Sequence, residues 1–400
     1  LRAALPDGGL RLLLAAVTAL GPIATNLYLP ALPAVREFFG ASVAEVQATF
    51  SVSLVTFAFG LLAWGPISDR HGRRAALLAG LGIMAAGTIL CLSARDLTWL
   101  VIGRGLQAFG TATGLVTARA VVVDSDPSSG MAKTLASLTM VSVLANSLAP
   151  VAGGFLVEAS GWRSVFVALG LFTLAVGLAV WRRLPETRPV TARPPRSREL
   201  LVTASVLSRN RTFLACVLQC AAIYATFLVF ISMAPYVMVS ALGRPGTEFG
   251  FYYLFIGVGY FLGNWSVGRF MLRREPRWMI RTGVQLTVAG SGAALVLMAV
   301  GFRHPLAMFL PIGLLAYGQG LALPNVTATA VGLAPHHAGM ASSLVGFLQQ
   351  LAGAACVQLM GHSPTDTALP MLGFCAVTCV TALLLLRLLP RPADVVPARG

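Results

Sequence analysis

Runs of about twenty apolar residues, the length that carries an α-helix across a lipid bilayer, follow one another along this chain with little between them. Twelve can be marked. The first six lie at roughly 10–31, 43–66, 75–94, 97–122, 132–157 and 164–181. After a break come roughly 212–239, 249–270, 278–300, 306–334, 339–360 and 368–389. Such a chain cannot fold as a water-soluble globule. Of its 400 residues 56% are hydrophobic and only 11% charged, against about 25% charged in soluble domains. A transmembrane β-barrel is excluded as well, because barrel strands alternate polar and apolar residues over about ten positions and these runs are apolar all round. Glycine and proline inside them would break soluble helices but are tolerated in membrane bundles. The first run is too long for a removable signal and continues into Tyr28-Leu29-Pro30-Ala31-Leu32-Pro33 without a small-residue cleavage site. The start at Leu1 rather than Met reads as a trimmed end. The expected fold is an all-α polytopic membrane protein of twelve transmembrane helices.

The net charge is +15, with 29 basic residues of which Lys133 is the only lysine. Basic excess points to nucleic acid when it clusters on a soluble face; here the arginines sit between apolar runs, so no nucleic-acid partner is expected. They report orientation instead. With twelve spans both termini share one side, and 23 basic residues fall there against five on the other (Arg36, Arg95, Arg163, Arg244 and Arg303), leaving Arg104 inside a span. Both termini are therefore expected in the cytoplasm. The break from Arg182 to Arg211 holds eight Arg and four Pro and reads as a cytoplasmic linker facing anionic lipid head groups. It divides the chain into a six-helix half at 1–181, the linker at 182–211 and a second six-helix half at 212–400. A faint repeat agrees: Gly65-Pro66-Ile67-Ser68-Asp69-Arg70-His71-Gly72-Arg73-Arg74 follows the second span, and Gly263-Asn264-Trp265-Ser266 with Arg269, Arg273 and Arg274 occupies the matching place later. Duplication on this scale is a mark of transporters.

These residues resemble a known family. The loop Gly65 to Arg74 looks like the signature between helices 2 and 3 of the major facilitator superfamily. Arg104-Gly105-Leu106-Gln107-Ala108-Phe109-Gly110 resembles the fourth-helix motif of its drug exporters, and Ala149-Pro150-Val151-Ala152-Gly153-Gly154 the fifth-helix motif of its antiporters. Tyr28 to Pro33 and Gly161-Trp162-Arg163-Ser164-Val165-Phe166 are similar to the bicyclomycin/chloramphenicol-resistance group, and Pro324-Asn325 with Ala338-Gly339-Met340-Ala341-Ser342 look like second-half counterparts. The resemblance implies two six-helix halves around a central cavity. It also implies proton-coupled export of small amphipathic drugs by alternating access, from the bacterial inner membrane, by a monomer without cofactor. A dedicated metabolite exporter or an uncoupled facilitator is the alternative in the same fold.

Read chemically, Asp69 beside Arg70, Arg73 and Arg74 can form a salt-bridge latch that favours one conformation, with Arg119 and Asp124 at the same end of the fourth span. Topology alone would explain the arginines but not Asp69. Pro150 permits a bend, and Gly153 and Gly154 let helices approach closely; in the family this region is thought to seal the cavity. A charge inside hydrocarbon is functional by default and calls for a partner. At about 1.5 Å per residue Arg104 lies about 10 Å below the external end of its helix and Asn26 about 8 Å below the same surface, so the two can meet. The family carries an aspartate where this chain has Asn26, and all 14 acidic residues here map to loops or helix ends. Either the natural residue at 26 is an aspartate and this amide replaces it, or coupling uses a helix-end acid, Asp124 first; failing both, Arg104 favours an anionic substrate or a backbone carbonyl. Polar and aromatic residues within spans suggest a substrate cavity, among them Tyr28, Gln107, Asn146, Gln219, Tyr224, Tyr236, Tyr253, Tyr260, Tyr317, Gln319, Asn325, Gln349 and Gln350. Ordinary interhelical bonding would use the same residues. No His has metal-ligand spacing, the six Cys sit in apolar segments as small hydrophobes, and Lys133 lacks the glycine pattern that cradles phosphates. An ATP-driven pump, a metal site and an intramembrane enzyme are all disfavoured.

Overall fold

All of the twelve runs but the first, which is broken, are carried by one α-helix each in the computed structural model, which describes residues 8–125, 130–188, 205, 207, 209–271, 273–334 and 338–389. The helices are α1 (Gly8–Asn26), α2 (Leu32–Phe39), α3 (Val43–His71), α4 (Arg73–Leu92), α5 (Leu97–Ser125), α6 (Gly130–Ser160) and α7 (Ser164–Arg183). They continue as α8 (Arg211–Ser240), α9 (Phe249–Phe270), α10 (Pro276–Ala299), α11 (Pro305–Gly332), α12 (Ala338–Met360) and α13 (Leu369–Leu385). Most of the 182–211 linker, the side chain of Lys133, and Arg2, Arg391, Arg399, Asp7, Asp126, Asp394, His336 and His337 lie outside the described residues.

Local chemistry sets the boundaries. Ser42 and Glu45 form a reciprocal capping box at the start of α3, and the Asn210 side chain accepts from the N–H groups of Thr212 and Phe213 at the start of α8. Gly72, at φ +99°, closes α3 and opens α4 in a conformation closed to most side chains. The first run departs from expectation. It does not reach Ala31 as one helix: Pro30 has no N–H for the Asn26 carbonyl and biases Leu29 away from helix. α1 stops at Asn26, a 3₁₀ turn covers Leu29–Ala31, and α2 carries the crossing on to Phe39. Among the described residues eleven crossings are long and apolar enough to span a membrane; α9 is long enough at 22 residues but is made less apolar by Tyr252, Tyr253, Tyr260 and Asn264.

The helices form two compact units, α1–α7 with Gly246–Gly250, and α8–α13 without those residues. Packing repeats between them. In the first, α5 is clasped by α3 and α4, and α1 lies on α6. In the second, α11 is clasped by α9 and α10, and α8 lies on α12. Backbone meets backbone at these seams, as small residues allow in membranes. A Cβ on Gly87 would sit 2.5 Å from the Gln107 nitrogen, and one on Gly110 2.4 Å from the Gly80 oxygen. Gly283 and Gly318 do the same for α10 and α11. Large apolar side chains such as Leu171, Leu174, Val377 and Leu384 point outward and are exposed, which suits a lipid-facing surface.

Candidate substrate and coupling site

The break at the end of α1 is where the buried polar groups of the first unit collect. A helix end leaves carbonyls without intrahelical donors. Leu27 N–H serves Ile23 (2.9 Å), while the Ala24 carbonyl accepts from Arg104 Nη1 on α5 (3.1 Å). Arg104 is 2% exposed. Its Nη1 also donates to Gln107 Oε1, its guanidinium lies over the Tyr28 ring at 4.6 Å, and its Nε has no partner among the described residues. Gln107 passes the network on, donating to Thr88 Oγ1 (2.9 Å), and Tyr28 shares a hydrogen bond with Thr49 (3.0 Å). Asn26 Nδ2 donates to the Pro22 carbonyl (2.9 Å) and to Asn146 Oδ1 on α6 (2.6 Å). The structure thus gathers Tyr28, Gln107 and the Ala24 carbonyl around Arg104, while these bonds of Asn26 run to its own helix and to Asn146. Of the partners proposed for Arg104, it supplies the backbone carbonyl.

The arrangement holds a positive charge in a shell of neutral dipoles and one aromatic face. Cation–π attraction and charged hydrogen bonds offset part of its desolvation. They leave it able to answer a carboxylate or a substrate's negative end.

The glycine motif packs against the same break. A Cβ on Gly153 would lie 2.2 Å from the Leu27 oxygen, and one on Gly154 2.5 Å from the Thr247 oxygen, while the Pro150 oxygen closes on Gly250. Gly153→Ala is expected to destabilise by about 1–3 kcal/mol through overpacking, read as a lower melting midpoint in detergent. A variant that melts with its parent would mean that α6 and α1 are not held this close.

At the α3–α4 turn Arg73 is the centre of a cluster of ion pairs and hydrogen bonds. It pairs with Asp69, donates from Nε to Asp124 Oδ2 on α5 (2.8 Å) and from Nη1 to Ser68 Oγ (2.8 Å). Arg70 offers its carbonyl to Arg188 Nη1 (2.7 Å), and Arg74 reaches the Trp181 carbonyl. Arg119 is exposed and forms no ion pair among the described residues, so it stands outside this cluster. The residue that sequence reasoning missed is Glu186. Its carboxylate accepts from the N–H groups of Arg73 (2.8 Å) and Arg74 (3.2 Å) and caps the N-terminus of α4. The signal available was a lone acid, Leu184-Pro185-Glu186, amid arginines at the end of α7.

The second unit disperses its polar residues. Tyr317 shares a hydrogen bond with Ser266 (3.1 Å), Gln319 Nε2 donates to the Ile223 carbonyl (2.7 Å), and Asn325 Nδ2 to its own helix at Leu321 (2.8 Å). Tyr224 lies beside Gln350 and Tyr260, Tyr236 and Tyr253 are buried, and Gln349 is half-buried. Gln219 is buried with neither amide atom hydrogen-bonded among the described residues, a capacity that buried groups seldom leave unused.

Residues 14–356 match the family described as the Major Facilitator Superfamily. The chain is 29% identical over 359 residues to multidrug resistance protein D of Escherichia coli, covering 89% of each chain. It is 30% identical over 395 residues to a chloramphenicol resistance protein of Pseudomonas aeruginosa (93% of this chain, 88% of that one). It is 25% identical over 375 residues to a bicyclomycin resistance protein homolog of Haemophilus influenzae (93% and 94%). A solved D-xylose-proton symporter shares the fold at a TM-score of 0.77 and 13% identity, over 97% of this chain and 98% of that one.

Proposed function

This chain belongs to the major facilitator superfamily, a transporter and not an enzyme, and we propose that it exports small amphipathic antibiotics, chloramphenicol- or bicyclomycin-like, by proton-coupled alternating access. It does so from the bacterial inner membrane, with both termini and the arginine-rich side in the cytoplasm. The resistance relatives support the drug class. The observation that carries the coupling is Arg104, a buried guanidinium whose Nε has no partner among the described residues and whose Nη1 holds the Ala24 carbonyl, two residues along α1 from position 26. A carboxylate at 26 would take up a proton in one state and release it against Arg104 in the other, the usual solution in a proton-coupled carrier.

One observation favours a second reading, an uncoupled facilitator: position 26 is an amide, which does not titrate. Drug efflux from vesicles under an imposed pH gradient separates the two. Asn26→Asp is expected to gain at least about tenfold in gradient-driven efflux, the rate effect of about 1.4 kcal/mol, while the parent moves drug downhill. If both chains are driven equally, position 26 is not the coupling site and a helix-end acid, Asp124 first, takes its place. If neither moves drug, the export reading fails.

A further inference from the structure

Both units carry clustered arginines at matching turns and answer them differently. In the first, α4 opens on Arg73 and Arg74, and three carboxylates meet them: Asp69 and Asp124 at the Arg73 guanidinium, Glu186 at the two backbone N–H groups. The matching turn of the second unit, from α9 to α10, carries Arg269, Arg273, Arg274, Arg277 and Arg281. All are exposed except the half-buried Arg277, and none forms an ion pair among the described residues. The single acid there, Glu275, is exposed and its side chain makes no capping bond. Nor does the sequence provide a substitute for Glu186: where Leu184-Pro185 leads to Glu186, Leu389-Pro390 leads to Arg391.

Arg277 and Arg281 stand one helical turn apart, so like charges face each other. Trp278 sits among them, 37% exposed, with Phe270 edge-on at 5.7 Å and the Arg274 guanidinium over its ring at 5.2 Å. An exposed tryptophan at the end of a membrane helix belongs at the level of the head groups. Guanidinium forks match phosphate oxygens two at a time.

We propose that the α9–α10 turn is a binding site for the phosphodiester of an anionic phospholipid, held by Arg273, Arg274 and Arg277 with Trp278 seated in the interface. The lipid supplies from outside the negative charge that Glu186 supplies inside the first unit. This holds whatever molecule the protein transports.

Native mass spectrometry of the full chain in detergent, with phosphatidylglycerol and phosphatidylcholine added in equal amounts, tests it. The parent is expected to retain phosphatidylglycerol preferentially. Each interfacial arginine is worth about fivefold in binding, so Arg273→Gln/Arg274→Gln/Arg277→Gln is expected to lose about a hundredfold and fall to the phosphatidylcholine level. Arg36→Gln/Arg95→Gln/Arg303→Gln, on the opposite side, is expected to keep the preference. Circular dichroism and elution position report folding; if the triple variant does not fold, Arg274→Gln alone is expected to lose about fivefold. Retention of phosphatidylglycerol by the folded arginine variant at the parent's level would overturn the site. Displacement of the lipid by equimolar inorganic phosphate would reassign it to a soluble anion and overturn the lipid proposal.

Discussion

Arg104→Met lowers drug efflux by about 10–100-fold while leaving the melting midpoint unchanged or raised. The transport loss follows from removing the one buried cation of the α1–α5–α6 site. Each hydrogen bond from a charged group is worth about 1.5–3 kcal/mol, and every 1.4 kcal/mol is a factor of ten. The stability result follows from the opposite side of the same physics. A buried guanidinium without a carboxylate is costly to desolvate, and methionine fills similar space with a flexible apolar chain. What is lost, the Gln107 and Ala24 acceptors left unpaired, offsets part of that gain. Arg104→Lys is expected to rescue little, because one ammonium cannot both serve two acceptors and lie flat over Tyr28. Vesicle efflux and a thermal melt of the same preparation check both halves; a methionine variant that transports at the parent's rate would remove Arg104 from the site.

Arg73→Ala has the largest expected cost in stability, about 3 kcal/mol. The Arg73–Asp124 pair is nearly closed to solvent, with side chains 8% and 11% exposed, so removing one partner leaves an uncompensated carboxylate. The estimate sits at the low end for buried pairs because Asp69 is a third exposed and can turn to water. Replacing both partners, Arg73→Met with Asp124→Leu, is expected to recover most of the loss, since no orphaned charge remains. Melting midpoints of the two single variants and the double variant give the coupling directly. If the double variant is no more stable than Arg73→Ala, the pair does not hold α3, α4 and α5 together as described.

The apolar runs were readable because a membrane helix needs only length and composition, and their ends fell within about five residues of the observed ones except at the first. There Pro30 interrupts the helix inside the apolar run, a break that length and composition do not register. The depth of Arg104 came from helical rise alone. Its partner did not, because a main-chain carbonyl such as that of Ala24 carries no residue signature and is freed only by where α1 stops. The Asp69–Arg73 pair lay in plain view four residues apart. Which of three arginines would cross to Asp124, 51 residues away, depended on the seam between α4 and α5. Glu186 was harder still: 113 residues separate it from Arg73, and only the return of α7 beside α4 makes them neighbours.

The glycine seam between α4 and α5 has a practical consequence for anyone who wants to watch this carrier work. Two helices whose backbones touch at Gly87 and again at Gly110 behave as one strut, because sliding by even a fraction of a turn would drive main chain into main chain. A pair of fluorophores placed on α4 and α5 would therefore stay at constant separation through the whole cycle and serve as the internal ruler. The broken crossing of α1 and α2, jointed at Tyr28 by its own prolines, is where a moving reporter belongs.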